Sequence, residues 1–300
     1  MNGFLPMAEV DQDTIAWFEH FSVPVVEQGD RLVLEPIELL QSDHILDLAN
    51  GFSRSLINDL HVFRSIGSTN TFLMEQWPKQ NCHAWICLAE AQTQGRGRRG
   101  RQWVSPFGCN LYMSIGWQYL KTSGGLEGLS LLVGLKVAET LRELGLVNVG
   151  LKWPNDLLVE GRKLGGILVE IVLRPHNKLG VVIGMGINLR LPDGRAQLID
   201  QPFTTVAEHL PDITRNLLAA KLLDNLLPAL SRFQVDGFAR YRHAWSQLDV
   251  FSNQQVEIRQ GNDLIHGTSM GVDSHGNLML QTRTGLATFG AGEVSLRPVD

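Results

Sequence analysis

Three hundred residues are enough for two or three domains with at least one sizeable core. Lys and Arg number 26 against 31 Asp and Glu, a formal charge of -5, so no global field favours nucleic acid or an anionic membrane. At 44% apolar and 19% charged residues the composition is that of an ordinary globular protein, and no apolar run reaches the ~18 residues of a membrane span. Met1 to Val10 lacks the basic and apolar regions of a signal peptide. Cys82, Cys87 and Cys109 are odd in number and form no C-x-x-C pair, which predicts reduced, buried thiols and a cytoplasmic protein.

In chain order, residues 1–41 form a small unit. Asp13 to Phe21 carries apolar residues at the spacing of one helix face. Val23 to Leu34 reads as two short strands turning at Gln28-Gly29-Asp30. Glu35-Pro36-Ile37-Glu38 follows as a linker, because Pro36 interrupts regular structure. A helix and hairpin suit either the back end of a winged helix or a cap on the main domain.

From residue 42 to 252 helices and strands alternate. Leu60 to Ile66 predicts a strand, and Thr69 to Trp77 a helix capped by Ser68 or Thr69. Two apolar strands, Ala84 to Glu90 and Asn110 to Trp117, flank Gly95-Arg96-Gly97-Arg98-Arg99-Gly100-Arg101, with Trp103 just beyond. Glycines at that density let the backbone approach a ligand, and arginines supply donor forks for phosphate or carboxylate. A flap over an anionic ligand and a solvated basic patch are both open readings at this point. Gly124 to Leu144 is apolar nearly all round and predicts a buried helix. Val149 to Trp153 predicts a strand stopped by Pro154, then Leu157 to Val159 and Leu164 to Val172 a hairpin turning through Glu160 to Lys163. Leu179 to Leu189 is a further strand, residues 190–205 a long loop, and Thr214 to Val235 and Phe238 to Gln247 two helices. The order predicts an α+β fold, a central mixed sheet with packed helices. Residues 253–300 change character: about five short strands punctuated by turns predict a small barrel.

Four clusters join the basic loop. Ser68-Thr69-Asn70 sits at a helix N-terminus, Lys152-Trp153-Pro154-Asn155-Asp156 ends a strand, Lys163-Leu164-Gly165-Gly166 opens a hairpin, and Gly184-Met185-Gly186-Ile187-Asn188 ends another strand. Taken singly they read as an N-cap, a turn, a tight hairpin and a packing feature. In this order, STN, EAQTQGRGRRGRQW, SPFGCNLYMS, LKWPNDLLV, GRKLGGILVE and GMGINL resemble the biotin protein ligases of the bacterial ligase/repressor type, from about Pro36 to the C-terminus.

The resemblance implies a catalytic domain like that of class II synthetases at 42–252, an SH3-like barrel at 253–300 and a shortened winged-helix remnant at 1–41. It implies an enzyme that makes biotinyl-5′-AMP from biotin and ATP with magnesium. The biotinyl group then passes to one lysine of a biotin carboxyl carrier protein, that of acetyl-CoA carboxylase. Arg96, Arg98, Lys152 and Lys163 are the cations that suit a carboxylate attacking a phosphate. By the match, Ser68, Thr69, Asn70, Gln92, Arg96, Gly97, Arg98 and Lys163 line the biotin site. Lys163, Arg98, Lys152 and Asp156 carry the catalysis, Asp156 as metal ligand or guide for the incoming lysine. Arg98, Arg99, Arg101, Trp103, Asn155, Asn188 and Phe203 meet the nucleotide. A homodimer is compatible with the family.

The chain departs from the pattern at its start. No Lys or Arg precedes Arg31 while six carboxylates do, a poor surface for DNA phosphates. About forty residues are also too few for the family's winged helix-turn-helix. The expectation is a ligase without a repressor arm. A bifunctional ligase and biotin-responsive repressor is the alternative, and a lipoate or octanoyl ligase is disfavoured by GRGRRG and KWPND.

Overall fold

The computed structural model describes residues 4–7, 10–21, 23, 25–34, 37–120, 125–173, 178–190, 201–260, 263–291 and 294–298. The chain starts with a strand too short for patterning to reveal, β1 (Phe4–Pro6), then α1 (Gln12–Phe21) and the expected hairpin of β2 (Val25–Gln28) and β3 (Arg31–Leu34). β3 lies between β1 and β2, antiparallel to both. Beneath them Val23 is buried with Ala91 and Phe107, and Phe18, Val25, Ile37 and Leu39 pack around that cluster. Glu35 and Pro36 of the expected linker lie outside the described residues. Glu38, expected to be a tether, is pinned instead: its carboxylate accepts from the backbone N–H groups of Arg215 and, at 3.2 Å, Asn216. It thus satisfies the free donors at the start of a long helix.

The central body runs α2 (Ser42–Leu48), α3 (Gly51–Leu56), β4 (Asp59–Phe63), α4 (Thr69–Gln76), β5 (Trp85–Ala89), β6 (Leu111–Leu120), α5 (Leu129–Glu143), β7 (Val149–Lys152), β8 (Asp156–Val159), β9 (Arg162–Leu173), β10 (Lys178–Ile187), α6 (Arg215–Asp236) and α7 (Arg242–Leu248). The seven strands form one sheet in the order β4-β5-β6-β10-β9-β8-β7. Only β4 and β5 are parallel in it. β6 and β10 lack in–out alternation because both their faces are covered. α5 and α6 share the main core with the sheet. α4 packs on the other face, its Leu73 and the following Trp77 clustering with Cys82, Cys87 and Val182. The three cysteines are free and buried, as expected.

Several boundaries differ from the patterning. α5 starts at Leu129 rather than Gly124, since Gly128 takes a left-handed φ of 77° at its N-cap. The hairpin between β8 and β9 turns on two residues, Glu160 (φ 51°) and Gly161 (φ 75°), so Lys163 lies inside β9 opposite Leu158. Two consecutive positive φ angles make the two-residue turn that matches strand twist. α7 begins four residues later than expected, with Phe238 buried ahead of it. α2 and α3 are too short to show a helix period.

The tail forms β11 (Gln255–Gln260), β12 (Asp263–Val272), β13 (Leu278–Thr282), β14 (Gly285–Phe289) and β15 (Val294–Pro298), an antiparallel sheet in the order β14-β13-β12-β11-β15. Its inward residues Val256, Ile258, Leu278, Leu280 and Leu296 continue the main core. Trp153 Nε1 donates to Gly276 O at 3.0 Å, tying this sheet to the turn after β7. No described helix is long and apolar enough to cross a membrane.

Candidate active site

A cleft of about 1390 Å³ opens between α4, the basic loop, β8 to β10 and the C-terminal sheet. Ser68, Thr69, Asn70, Gln92, Arg96, Gly97, Arg98, Arg99, Arg101, Trp103, Lys152, Asn155, Asp156 and Lys163 all line it. Residues scattered over nearly a hundred positions therefore share one space.

Its buried end is lined by neutral polar side chains that hydrogen-bond one another. Ser68 caps α4, its hydroxyl accepting from Thr71 N–H at 3.4 Å. Gln92 Oε1 accepts from Thr69 N–H at 2.9 Å, and Gln92 Nε2 donates to Ser105 Oγ at 3.1 Å. The Ser114 hydroxyl donates to Asn70 Oδ1 at 2.6 Å and lies 2.7 Å from the Thr69 hydroxyl. Asn70 is 4% exposed and Ser114 fully buried. Two glycines on one face of β10 make room here. A methyl on Gly184 would collide with the Asn70 amide, and one on Gly186 with the Trp103 indole. The GMG motif thus clears space for two site residues, spaced by the two-residue period of a strand.

The basic loop is more ordered than its glycines suggest. Arg96 bridges Gln102, Gly97 N–H donates to Arg101 O at 2.7 Å, and Trp103 N–H donates to Gly95 O at 2.9 Å. Arg99 (φ 58°) and Gly100 (φ 70°) turn the tip. Arg98 donates to Asn155 Oδ1 at 3.0 Å and to Ala291 O, two residues beyond β14. Asn155 is itself strapped to β9, exchanging bonds of 2.9 Å with Ile167 N–H and C=O.

The open end is cationic. Lys163 Nζ lies 2.8 Å from Asp156 Oδ1 and 5.5 Å from the centroid of a Trp103 ring. Burial lowers the pKa of Lys152; Asp156 opposes the shift, while Lys163, Arg297 and Arg101 add to it. Burial also lowers that of Arg98, again against Asp156 and with Arg99 and Arg101. Cations that depress one another's protonation make a site that gains when an anion enters.

Asn188 and Phe203 are not among the residues lining the cleft. Asn188 is buried behind Lys163, its Nδ2 donating at 3.3 Å to both Lys163 O and Thr204 O. Phe203 bridges the Lys163 backbone, whose N–H donates to Pro202 O at 2.9 Å. Both hold the strand that presents Lys163, a buttressing place that motif position alone could not distinguish from contact. Conversely, Glu257, Arg259 and Arg297 from the C-terminal sheet line the cleft. They were missed because the tail reads only as alternating strands.

Residues 62–188 match the biotin/lipoate A/B protein ligase family, and residues 251–297 the biotin protein ligase C-terminal domain. The bifunctional ligase/repressor BirA of Escherichia coli K12 is 39% identical over 266 residues, covering 89% of this chain and 81% of that protein. The biotin–[acetyl-CoA-carboxylase] ligase of Paracoccus denitrificans is 32% identical over 238 residues, 76% of this chain and 96% of that one. The biotin protein ligase from Aquifex aeolicus in complex with biotin and ATP superposes with a TM-score of 0.69 at 29% identity, over 81% of this chain and all of that one.

Proposed function

The chain belongs to the biotin protein ligase family, and we propose that both half-reactions of a biotin–protein ligase take place in the cleft described above. The protein is a ligase that uses biotin and ATP. Its acceptor is a carboxylase's biotin carrier. The observation that carries the assignment is the cleft's polarity. Paired neutral donors and acceptors at Thr69, Asn70 and Gln92 suit a ureido ring, and the cations at the other end suit a polyphosphate.

Between them the biotin carboxylate meets the α-phosphate. Two anions must be brought into line, and Lys163 and Arg98 neutralise the oxygens on which charge develops. A carboxylate oxygen bonds to phosphorus while the bond to pyrophosphate breaks, giving the acyl-adenylate. In the second step an acceptor lysine amine attacks the acyl carbon and AMP leaves with the electron pair. Asp156, held by Lys163, is placed to orient that amine. Lys152, Arg101 and Arg297 surround the polyphosphate end, and Trp103, seated on Gly186, walls off water from the labile anhydride.

Among the described residues no cluster of three His, Cys, Asp or Glu side chains forms a metal site. That donor set fits magnesium carried on phosphate oxygens with one protein carboxylate, for which Asp156 is the candidate. The ion's chemistry would be to screen the triphosphate. We assign residues 1–41 to a winged-helix-like N-terminal unit, 42–252 to catalysis and 253–300 to a small barrel that closes the polyphosphate end.

The ligase/repressor relatives motivate a second reading, DNA binding. Against it stand the six carboxylates and no Lys or Arg before Arg31. The test is incubation of the full chain with biotin, ATP, magnesium and a carrier domain, read by mass. A gain of one biotinyl group on the carrier is expected, and none on an active carrier sinks the assignment. A low-salt gel shift with a biotin operator should show no band, and a discrete, competable band needing the adenylate would restore the repressor.

A further inference from the structure

Glu170 stands at a junction that the reaction just described leaves unexplained. It sits on β9 with its side chain 15% exposed, below the basic loop and beside α4. Oε1 lies 2.7 Å from Arg96 Nη2, and Oε2 accepts from Arg96 Nη1 at 3.2 Å, a two-point ion pair. The same Oε2 accepts from Asn70 Nδ2 at 2.9 Å. One carboxylate therefore grips the base of the basic loop and the buried amide of the neutral pocket.

The remaining contacts close a circuit. From Asn70 the path runs through Ser114 and Thr69 to Gln92, from Gln92 to Ser105, and from Ser105 Oγ to Trp103 O at 2.9 Å. Trp103 N–H returns to Gly95 O, next to Arg96. Both ends of the loop are thus tied to the pocket, one through Glu170 and the other through Gln92. Arg96 is thus held by protein through both terminal nitrogens while it also lines the cleft.

We propose that Glu170 is a positioning residue that couples closure of the basic loop to the order of the neutral pocket, with Arg96 as its loop-side partner. The coupling rests on the ligase reading only for its consequence, retention of the acyl-adenylate; the contacts of the latch itself are all between protein groups. A carboxylate is required at this place because Asn70 and Arg96 both present donors. A glutamine would have to turn its own N–H₂ toward one of them.

The experiment uses the full-length protein and Glu170→Gln, Arg96→Gln and the double variant. Trypsin cleavage within residues 96–101, with no biotin or ATP present, should quicken about tenfold in each, the low end for a lost charge-assisted pair because Arg96 is half exposed. The half-life of bound biotinyl-adenylate should fall by a similar factor and KM for biotin rise, while kcat for pyrophosphate release by Glu170→Gln stays within about threefold. Melting temperatures should fall by only about a few degrees, because a glutamine at 170 still accepts from Asn70 and Arg96 is half exposed, and the double variant should be no worse than either single one. Unchanged cleavage and retention, additive effects in the double variant, or, in Glu170→Gln, a loss of kcat together with a large drop in melting temperature would each overturn the proposal. Should the wild type make no adenylate at all, the ligase reading fails while the proteolysis still judges the latch.

Discussion

Two glycine-to-alanine substitutions, identical in chemistry, should act with opposite sign. A methyl carbon at Gly184 in β10 would sit 2.7 Å from Asn70 Cγ and 2.9 Å from Nδ2, with Oδ1 closer still. Asn70 has nowhere to go, being 4% exposed on the face of α4 that meets β10. Displacing it breaks the 2.6 Å bond from Ser114 and the 2.9 Å bond to Glu170. A neutral bond contributes about 1 kcal/mol and one to a charged group about 1.5–3 kcal/mol, so Gly184→Ala should cost about 2.5–4 kcal/mol. Gly134 lies inside α5, where the same methyl meets only Leu151 Cδ2 at 3.6 Å, an ordinary contact. There the gain in helix propensity should stabilise by about 0.5–1 kcal/mol. Urea and thermal melts of both variants measure the difference, and the KM for biotin should rise only for Gly184→Ala. If Gly184→Ala is as stable as Gly134→Ala, the tight seating of Asn70 against β10 is wrong, and with it the polar corner built on it.

Lys163→Ala removes the cation that faces both reacting anions and should slow pyrophosphate release about a hundredfold, roughly 3 kcal/mol; a near-normal burst would take Lys163 out of the mechanism. Arg98→Gly cuts the loop's bonds to Asn155 and Ala291. It should let adenylate escape, seen as biotin on lysines of a bystander protein, and a variant that makes no adenylate would make Arg98 a first-step residue instead. Burial raises the Asp249 carboxyl from 3.8 to about 6, against an opposing hydrogen bond from Phe251 N–H at 3.0 Å. The native state then keeps a proton that the unfolded chain has released, so stability falls as pH rises from 3.8 to about 6, by about 3 kcal/mol in all. Asp249→Asn should accordingly melt above wild type near about pH 8 and level with it near about pH 4; a gain independent of pH would refute that account.

The sequence by itself determined whatever is settled between near neighbours in the chain. Ser68 caps α4 from three residues away, Gly29 and Gly161 set their turns, and the apolar run of β6 announces a strand covered on both faces. The motif order was enough to name the family and to gather fourteen of the sixteen candidate residues, all of which line one cleft. Tertiary structure decided what depends on strand order and register. Glu38 reads locally as linker, and only the fold brings Arg215, 177 positions away, onto it. Glu170 reads as the end of a core strand until β9 is placed next to β10, within reach of Asn70 and Arg96, 100 and 74 positions distant. Asn188 and Phe203 lie against the Lys163 backbone rather than in the cleft because strand pairing holds them there, and Arg297 enters the cleft because the C-terminal sheet docks through Trp153 onto the turn after β7. Capping, turns and periodicity are energies of adjacent residues and so are written in the chain, whereas a contact across a hundred positions has no local energy to signal it.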